Sequence, residues 1–275
     1  MAPNTTVVTL RCCNWQGKII AIAIPKGGVG KSTTAVNLAA SLAIAEKKVL
    51  VVDLDPMGTC GIAFGIEAQN LKGGIFEIFN FTKSVNDVIH NTKIQNLDFI
   101  PSRIDKFSNE ERLNRLADNK MMLRYVLRGL IYNYDYIFID CPPYLRGLTT
   151  CALLASDSAI LPMMAESFSL IAVKRMLEHV EWIKGQGNSL LTVEGILLNM
   201  FEPRMKISNL IVEELRKDYD ALIFKTYIPK NTALSEATYN KTPAILYDAS
   251  AKGSVAFLEL AEEIMQRTNH SSVYS

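Results

Sequence analysis

Long apolar runs and a dominant charge are both absent from this sequence, and each absence excludes a class of protein. No uncharged apolar run approaches the ~20 residues that a membrane-spanning helix needs, and no basic stretch followed by an apolar segment opens the chain. Lysine plus arginine number 29 against 28 for aspartate plus glutamate, so the net charge of +1 provides no global attraction to nucleic acid or membrane. We therefore expect a soluble, cytoplasmic protein in which any DNA binding depends on a local basic patch.

Cysteine and histidine are too few and too scattered for a disulfide framework or a histidine metal site. The cysteines are Cys12, Cys13, Cys60, Cys141 and Cys151. They form no C-x-x-C pair and their number is odd, which favours a reducing compartment. None of the three histidines lies at metal-ligand spacing from a cysteine or a carboxylate in the sequence. The histidines are therefore expected to be solvated or to lie at helix ends.

A glycine-rich turn lies between an apolar run and the expected start of a helix near the N-terminus. Residues 19–24 are all isoleucine or alanine, as in a strand buried on both faces of a parallel sheet. The glycines allow backbone amides to converge on an anion, and a helix N-terminus favours negative charge. Lys31 is expected to reach the β- and γ-phosphates of a nucleotide and the Ser32 hydroxyl to bind Mg²⁺. The alternative is a glycine-rich turn with no nucleotide role.

The turn departs from the strict phosphate-loop pattern in one position and adds a lysine. Pro25 stands where the strict motif G-x-x-x-x-G-K-[ST] has glycine, and Lys26 directly precedes the glycines. The resulting K-G-G-V-G-K-S is the deviant form of the motif with two lysines. The predicted phosphate-binding residues are Lys26, Gly27, Gly28, Val29, Gly30, Lys31, Ser32 and Thr33.

Three aspartates follow apolar strands further along the chain. Asp53 and Asp55 lie in V-V-D-L-D-P at the end of one apolar run, and Asp140 is the last residue of Y-D-Y-I-F-I-D. Ligands of open α/β sheets bind outside the carboxyl ends of the strands, so these carboxylates are expected beside the phosphate loop. Asp140 fits the Walker B role of holding Mg²⁺. The alternative is that these aspartates cap the loops or helices that follow.

Strand and helix patterns alternate along the rest of the chain, which predicts a single-domain, doubly wound α/β fold of the P-loop NTPase type. Its sheet is expected to be mostly parallel, with helices on both faces. We expect an N-terminal extension over 1–17, an ATPase domain over 18–268 and a C-terminal tail over 269–275. Later predicted elements are a helical region over 108–132 with a possible break at 118–120, a strand over 222–228 and a final helix over 253–267.

Four blocks of the sequence together resemble the ParA family of DNA-partitioning ATPases. They are K-G-G-V-G-K-S, V-V-D-L-D-P, Y-D-Y-I-F-I-D-C-P-P and the late block I-P-K-N-T-A-L-S-E-A-T-Y-N-K-T-P-A-I-L-Y-D, and the resemblance covers about 17–266. It implies a weak Mg²⁺-dependent ATPase that binds ATP between two subunits, with Lys26 reaching the partner's phosphates. Lys26, Lys31 and Asp55 are then the catalytic residues, and Asp55 orients the attacking water.

The same resemblance assigns the remaining ligand contacts. Asp53 joins Ser32 and Asp140 around Mg²⁺, and Pro229 and Asn231 line the adenine pocket. The implied partners are a second copy of the chain, nonspecific double-stranded DNA and a ParB-like centromere-binding protein, with no membrane. The implied location is on the nucleoid in the cytoplasm.

The basic residues expected to contact DNA are Arg204 and Lys230, and three positions depart from the family pattern. Ala233 stands where the family commonly has a second arginine, which predicts weaker, less salt-dependent DNA binding. Pro25 and Met57 each replace a common glutamine. Because Met57 follows the strand that carries Asp53, hydrolysis is expected to be slow or altered.

Three other functions remain open at this point. A ParA-like regulator of transcription or virulence would use the same ATP switch, and nothing in the sequence separates it from a partitioning protein. A MinD-like ATPase that positions cell division would need a basic amphipathic C-terminal helix, whereas the chain ends R-T-N-H-S-S-V-Y-S. The third alternative is an α/β binding protein without a nucleotide.

Overall fold

A seven-stranded sheet forms the centre of the computed structural model, which describes residues 17–102 and 107–271. The strands are β1 (Lys18–Ile22), β2 (Val49–Asp53), β3 (His90–Asn91), β4 (Leu97–Ile100), β5 (Tyr136–Asp140), β6 (Ser158–Met163) and β7 (Thr192–Leu198). Their order across the sheet is β3-β4-β2-β5-β1-β6-β7. Neighbouring strands run parallel except for the edge pair β3–β4, which is antiparallel. The mostly parallel α/β sheet expected from the sequence is confirmed.

Eleven α-helices and three short 3-10 helices surround this sheet within the described ranges. The α-helices are α1 (Lys31–Ile44), α2 (Thr59–Ala63), α3 (Ile75–Phe79), α4 (Phe107–Leu116), α5 (Met122–Arg128), α6 (Leu148–Ala155), α7 (Ser169–Lys184), α8 (Lys206–Tyr219), α9 (Thr232–Tyr239), α10 (Ala244–Tyr247) and α11 (Lys252–Ser271). The 3-10 helices are Ala68–Asn70, Val85–Val88 and Asp220–Leu222. In the part of the chain that the structure describes, no helix is both long enough and apolar enough to cross a membrane.

The two faces of the sheet bury separate hydrophobic layers. Successive side chains of a strand point to opposite faces, so Ile19 and Ala21 of β1 belong to one layer and Ile20 and Ile22 to the other. Helices α3 to α8 contribute to the first layer, and α1, α2 and α9 to α11 contribute to the second. These four residues of β1 are fully buried, which explains the uninterrupted apolar sequence. The cover of helices on both faces is confirmed.

The predicted strand over 222–228 is wrong, because this segment makes a single isolated bridge among the described residues. Ile223 bridges Ile196 of β7, but the segment forms no continuous ladder. The backbone amides of Lys225 and Thr226 instead donate to the Glu263 carboxylate on α11, at 3.0 and 2.9 Å. The amides of Phe224 and Ile228 still donate to carbonyls of β7, but the two amides of Lys225 and Thr226 between them bond to a side chain.

Two predicted features of the helices can be compared directly with the structure. The break expected at 118–120 is confirmed, because α4 ends at Leu116 and α5 begins at Met122. The final helix extends four residues beyond its predicted end at Arg267. The domain boundaries at 17 and 268 remain predictions, since residues 1–16 and 272–275 lie outside the described residues.

Candidate functional site

The glycine-rich loop joins β1 to α1 through two left-handed glycines. Gly28 and Gly30 have φ values of 73° and 85°. A Cβ atom on Gly30 would lie 2.2 Å from Nδ2 of Asn199. That amide donates to the Val29 carbonyl at 2.8 Å, while its own oxygen accepts the Met200 N–H at 3.0 Å. Asn199, which sequence reasoning missed, therefore holds the loop from the end of β7.

The two lysines of the loop are held in different places. Nζ of Lys31 donates to the Lys26 carbonyl at 3.0 Å. Burial lowers the pKa of Lys31, although the negative charge of Asp140 acts to raise it. Nζ of Lys26 instead donates to the Ser169 hydroxyl at 3.0 Å and to the Glu166 carboxylate at 3.3 Å, at the start of α7. Lys31 thus lies inside the loop, and Lys26 contacts a different element.

The strand register places two of the predicted carboxylates side by side. Asp140 of β5 is paired with Asp53 of β2 on one side and with Ile22 of β1 on the other. Both carboxylates are fully buried. Asp53 accepts the backbone N–H of Asp55 at 3.0 Å and that of Cys60 at 3.2 Å. The parallel pairing thus positions both aspartates at the carboxyl end of β1, where the loop begins.

Burial dominates the electrostatics of these carboxylates. It raises the pKa of Asp140 to about 6, although the Ser32 hydroxyl and the Cys60 thiol counteract part of the shift. Burial, with the nearby charge of Asp140, also raises the pKa of Asp53. Oδ1 of Asp140 has no hydrogen-bond partner among the described residues. Two adjacent buried carboxylates with an unpartnered oxygen are suited to a cation, which would favour their charged forms.

The residues present fit Mg²⁺. The Ser32 hydroxyl lies at the start of α1 and accepts a hydrogen bond from the Thr59 hydroxyl at 2.8 Å. With Asp53 and Asp140 it supplies the oxygen ligands that Mg²⁺ prefers, and the ion would hold one or two of them together with substrate phosphates and water. The predicted metal residues Ser32, Asp53 and Asp140 are therefore brought to one end of the sheet.

A cavity of about 390 Å³ opens above the loop and contains most of the predicted phosphate-binding residues. Those that line it are Gly27, Gly28, Gly30, Lys31, Ser32 and Thr33. Asp55 also lines it, half-buried, with its carboxylate accepting the Met57 N–H at 3.0 Å. Three further lining residues, Met200, Thr238 and Thr242, were not predicted. These residues are far from the loop in the sequence, and no local pattern marks them as part of the cavity.

The two residues predicted to line the adenine pocket do not line the described part of the cavity above the loop. Pro229 lines a separate groove. The Asn231 side chain accepts the Ala233 N–H at 3.1 Å and so caps α9. Neither lines the cavity above the loop in the part of the chain described, and their role in adenine binding stays a prediction.

The predicted DNA contacts share this second groove, which has a volume of about 870 Å³. We call it the basic groove. Its charged lining residues are Arg204, Lys225, Lys230, Lys252, Glu202 and Glu259. Nζ of Lys230 lies 3.1 Å from the Glu202 carboxylate. Four cations against two carboxylates give the groove the local positive charge that the whole chain lacks.

A short stretch after β7 connects the loop, the cavity and the basic groove. Asn199 holds Val29 of the loop, Met200 lines the cavity and Phe201 lines the groove. Met200 adopts a left-handed conformation with φ of 51°, and the Phe201 N–H donates to the Ile228 carbonyl at 2.9 Å. The two cavities are therefore linked by three consecutive residues.

Comparisons with known proteins agree with this arrangement over nearly the whole chain. Residues 17–193 match a family described as an AAA domain. The chain is 40% identical over 256 residues to the chromosome partitioning protein ParA of Myxococcus xanthus (strain DK1622), covering 93% of this chain and 90% of that one. It is also 40% identical over 249 residues to the sporulation initiation inhibitor protein Soj of Bacillus subtilis (strain 168), covering 90% and 98%.

A solved structure with a bound nucleotide has a similar fold. The septum site-determining protein MinD from Pyrococcus horikoshii OT3, complexed with Mg-ADP, matches with a TM-score of 0.76 and 26% identity, covering 90% of this chain and 96% of that one. The two 40% matches and the two-lysine phosphate loop define the family more narrowly than this fold does. The chain belongs to the ParA/Soj family of chromosome-partitioning ATPases, within the wider ParA and MinD group.

Proposed function

We propose that this protein is a Mg²⁺-dependent ATPase that segregates DNA through an ATP-dependent dimer. ATP joins two copies of the chain, the dimer binds double-stranded DNA without sequence preference, and hydrolysis separates the subunits. A ParB-like centromere-binding protein stimulates that hydrolysis. The relative from Myxococcus xanthus, named for chromosome partitioning, supports this function. We place the protein in the cytoplasm on nucleoid DNA, without a membrane partner.

The position of Lys26 is the observation that carries this proposal. Lys26 is absent from the described lining of the nucleotide cavity, and its ammonium contacts Glu166 and Ser169. The Lys26 and Glu166 side chains are 26% and 53% exposed, and such surface ion pairs stabilise by only ~0–1 kcal/mol. This contact can therefore give way to a phosphate on a second subunit. A cation delivered in trans raises phosphoryl-transfer rates by ~10³–10⁵.

The other residues of the site then have distinct roles. The loop amides and Lys31 hold the phosphates, and Asp55 orients the attacking water at the cavity wall. Ser32, Asp53 and Asp140 hold Mg²⁺, which neutralises charge on the β- and γ-phosphates when bound. Arg204 and Lys230 contact the DNA backbone. Pro229 and Asn231 are proposed to contact the base from the late block of the sequence.

Light scattering during size-exclusion chromatography tests the dimer. We expect wild type to dimerise with ATP and Mg²⁺ but not with ADP. Lys26→Ala should bind ATP and stay monomeric, because the cation that bridges the subunits is gone. Lys31→Ala should lose ATP binding. Asp55→Ala should retain ATP and accumulate as a dimer, because hydrolysis no longer resets it.

A lysine outside the site provides the matched control. Lys184 is also in a surface ion pair, 2.7 Å from Glu181, so Lys184→Ala removes a comparable charge and should dimerise like wild type. If Lys26→Ala dimerises at the same ATP concentration as wild type, the role of Lys26 is contradicted. A monomeric, ATP-loaded Asp55→Ala would contradict the role of Asp55.

A regulator of gene expression that uses the same ATP switch is the second candidate. The observation that favours it is the 40% identical relative named for inhibiting sporulation initiation. Capture of partners from the native cell in the presence of ATP separates the two functions, since a centromere-binding protein supports partitioning and a transcription factor supports regulation. A cell-division role has the weaker support of a 26% identical neighbour.

A further inference from the structure

A thiol lies close to the two buried carboxylates of the site. Cys60, on α2, has its Sγ 3.3 Å from Oδ2 of Asp140, and its backbone N–H donates to Asp53. One ligand atom from each of the three side chains can be chosen so that all lie within 4.8 Å of one another. All three residues are fully buried. The roles proposed above use both aspartates but leave the thiol without one.

The cluster also contains an unsatisfied acceptor. Oδ1 of Asp140 has no hydrogen-bond partner among the described residues, and leaving a buried acceptor unpaired destabilises a protein by roughly 1–3 kcal/mol. The ammonium of Lys31 donates to the Lys26 carbonyl and makes no hydrogen bond to this oxygen. A cation bound among the three side chains would remove the deficit.

We propose that Asp53, Cys60 and Asp140 form a site for a thiophilic divalent cation of the Zn²⁺ and Cd²⁺ class. Mg²⁺ prefers oxygen ligands, whereas a thiolate shifts preference toward softer ions. On binding, the Cys60 proton passes to solvent and the sulfur forms the bond to the metal. With a Zn–S bond of ~2.3 Å and Zn–O bonds of ~2.0–2.2 Å, tetrahedral ligand atoms lie roughly 3–4 Å apart. The observed separations, 3.3 Å between Sγ of Cys60 and Oδ2 of Asp140 and no more than 4.8 Å within the set, are close to this geometry.

This site needs no nucleotide, so it goes beyond the proposed ATPase function. It nevertheless shares Asp53 and Asp140 with the proposed Mg²⁺ site. A soft cation held by both aspartates should therefore compete with Mg-ATP. The cell's supply of such ions would then inhibit the ATPase through the same carboxylates that support it.

Cadmium titration of the full-length protein without nucleotide tests the site. Cys12 and Cys13 are changed to serine in every sample, since adjacent cysteines bind cadmium themselves and these lie outside the described residues. This parent should bind one Cd²⁺ per chain, measured by calorimetry, and develop the ultraviolet thiolate-to-cadmium charge-transfer band. Cys60→Ser should lose the band. Asp53→Asn and Asp140→Asn should each weaken binding by at least ~10-fold.

A second buried thiol provides the matched control. Cys151 is also fully buried, but its Sγ contacts the Ala117 carbonyl at 3.3 Å, so Cys151→Ser should keep the band. Should Cys60→Ser fail to fold by circular dichroism, cadmium NMR of the parent reports sulfur ligation directly. A shift typical of oxygen ligands alone would overturn the proposal.

The outcomes separate this inference from the proposed function. A band that persists in Cys60→Ser, a parent without a band, or unchanged affinity in both aspartate variants would each overturn the cation site. Binding of a fluorescent ATP analogue is measured in the same parent. If the nucleotide binds and the cadmium band is absent, the cation site alone fails. We expect Mg-ATP to lower the apparent Cd²⁺ affinity. An unchanged affinity would contradict the claim that the two sites share their carboxylates.

Discussion

At the scale of single residues, an added methyl group should destabilise the protein at one glycine of the phosphate loop and have little effect at another. In Gly30→Ala the new Cβ would meet Asn199 at 2.2 Å in a backbone with φ of 85°. We expect destabilisation by about 1–3 kcal/mol and weaker ATP binding, because Asn199 must release the Val29 carbonyl. Urea unfolding and nucleotide titration measure the two effects.

Gly27 is the control for this prediction. A Cβ on Gly27 meets no atom within 4 Å, and its φ is not positive. Gly27→Ala should therefore stay within about 0.5 kcal/mol of wild type. If both variants lost the same free energy of unfolding, the loop would be sensitive to any added side chain. That result would contradict the specific role given to Asn199.

Residues at strand ends were predictable, whereas their partners across the fold were not. Asp53 and Asp140 could be placed together because both end buried strands, and parallel strands end at the same edge. The contact of Asn199 with Val29 joins residues 170 positions apart. Likewise the contact of Lys26 with Glu166 spans 140 positions and depends on how α7 begins. Local pattern carries no information about such pairs.

At the scale of elements, Glu263 binds two backbone amides of the segment that was predicted to be a strand. Burial alone would raise the pKa of Glu263. The amides of Lys225 and Thr226 and the Arg267 guanidinium outweigh that effect, and the pKa lies below its usual value. Apolar residues in 222–228 produce a strand pattern, but the pattern does not report a carboxylate on a distant helix.

Glu263→Gln should destabilise the protein near neutral pH by about 1–3 kcal/mol, because it replaces charge-assisted hydrogen bonds with weaker ones. A carboxylate with a depressed pKa stabilises the fold above its unfolded value, near 4.5, and loses this contribution as pH falls through its folded value. The difference between variant and wild type should therefore shrink in acid. Denaturant unfolding across this pH range measures it.

The neighbouring Glu262 serves as control for this helix. Glu262 is exposed and contacts Gln266 one turn further along α11. Glu262→Gln should change stability by less than about 0.5 kcal/mol at every pH. A pH-independent loss in Glu263→Gln would argue that packing, not charge, holds the segment.

At the scale of the whole molecule, DNA binding should depend on a few cations gathered from separate segments. Removing one cation that neutralises a DNA phosphate makes the slope of log affinity against log salt shallower by about 1. Arg204→Ala and Lys230→Ala should each reduce the slope by this amount for random duplex DNA in ATP. Fluorescence anisotropy at several salt concentrations measures it.

Lys184→Ala again serves as the control, because it removes one positive charge from a different surface. Lys184→Ala changes net charge equally but lies outside the described lining of the basic groove, so its slope should match wild type. An unchanged slope in the double variant of Arg204 and Lys230 would remove the groove from the DNA interface. Equal binding with ADP would remove the nucleotide dependence.

The whole fold was easier to predict than the cavities within it. Fully buried parallel strands such as β1 and β5 appear as apolar runs, and their alternation with helices specifies a doubly wound sheet. A cavity is lined by residues from several such units. Thr238, on α9, and Thr242, just after it, line the cavity above the phosphate loop, and α9 packs beside α2, a relation that no single stretch of sequence contains.

The stretch from Asn199 to Phe201 has a thermodynamic consequence. One end is bonded to the phosphate loop and the other lines the basic groove, over a span of at most about 7 Å. A nucleotide that shifts this stretch changes the DNA affinity of the groove by some factor. Reciprocity then requires DNA to change nucleotide affinity by the same factor. Because the proposed cycle has ATP strengthen DNA binding, DNA would strengthen ATP binding in turn, and the chromosome would act as an allosteric ligand of the ATP site.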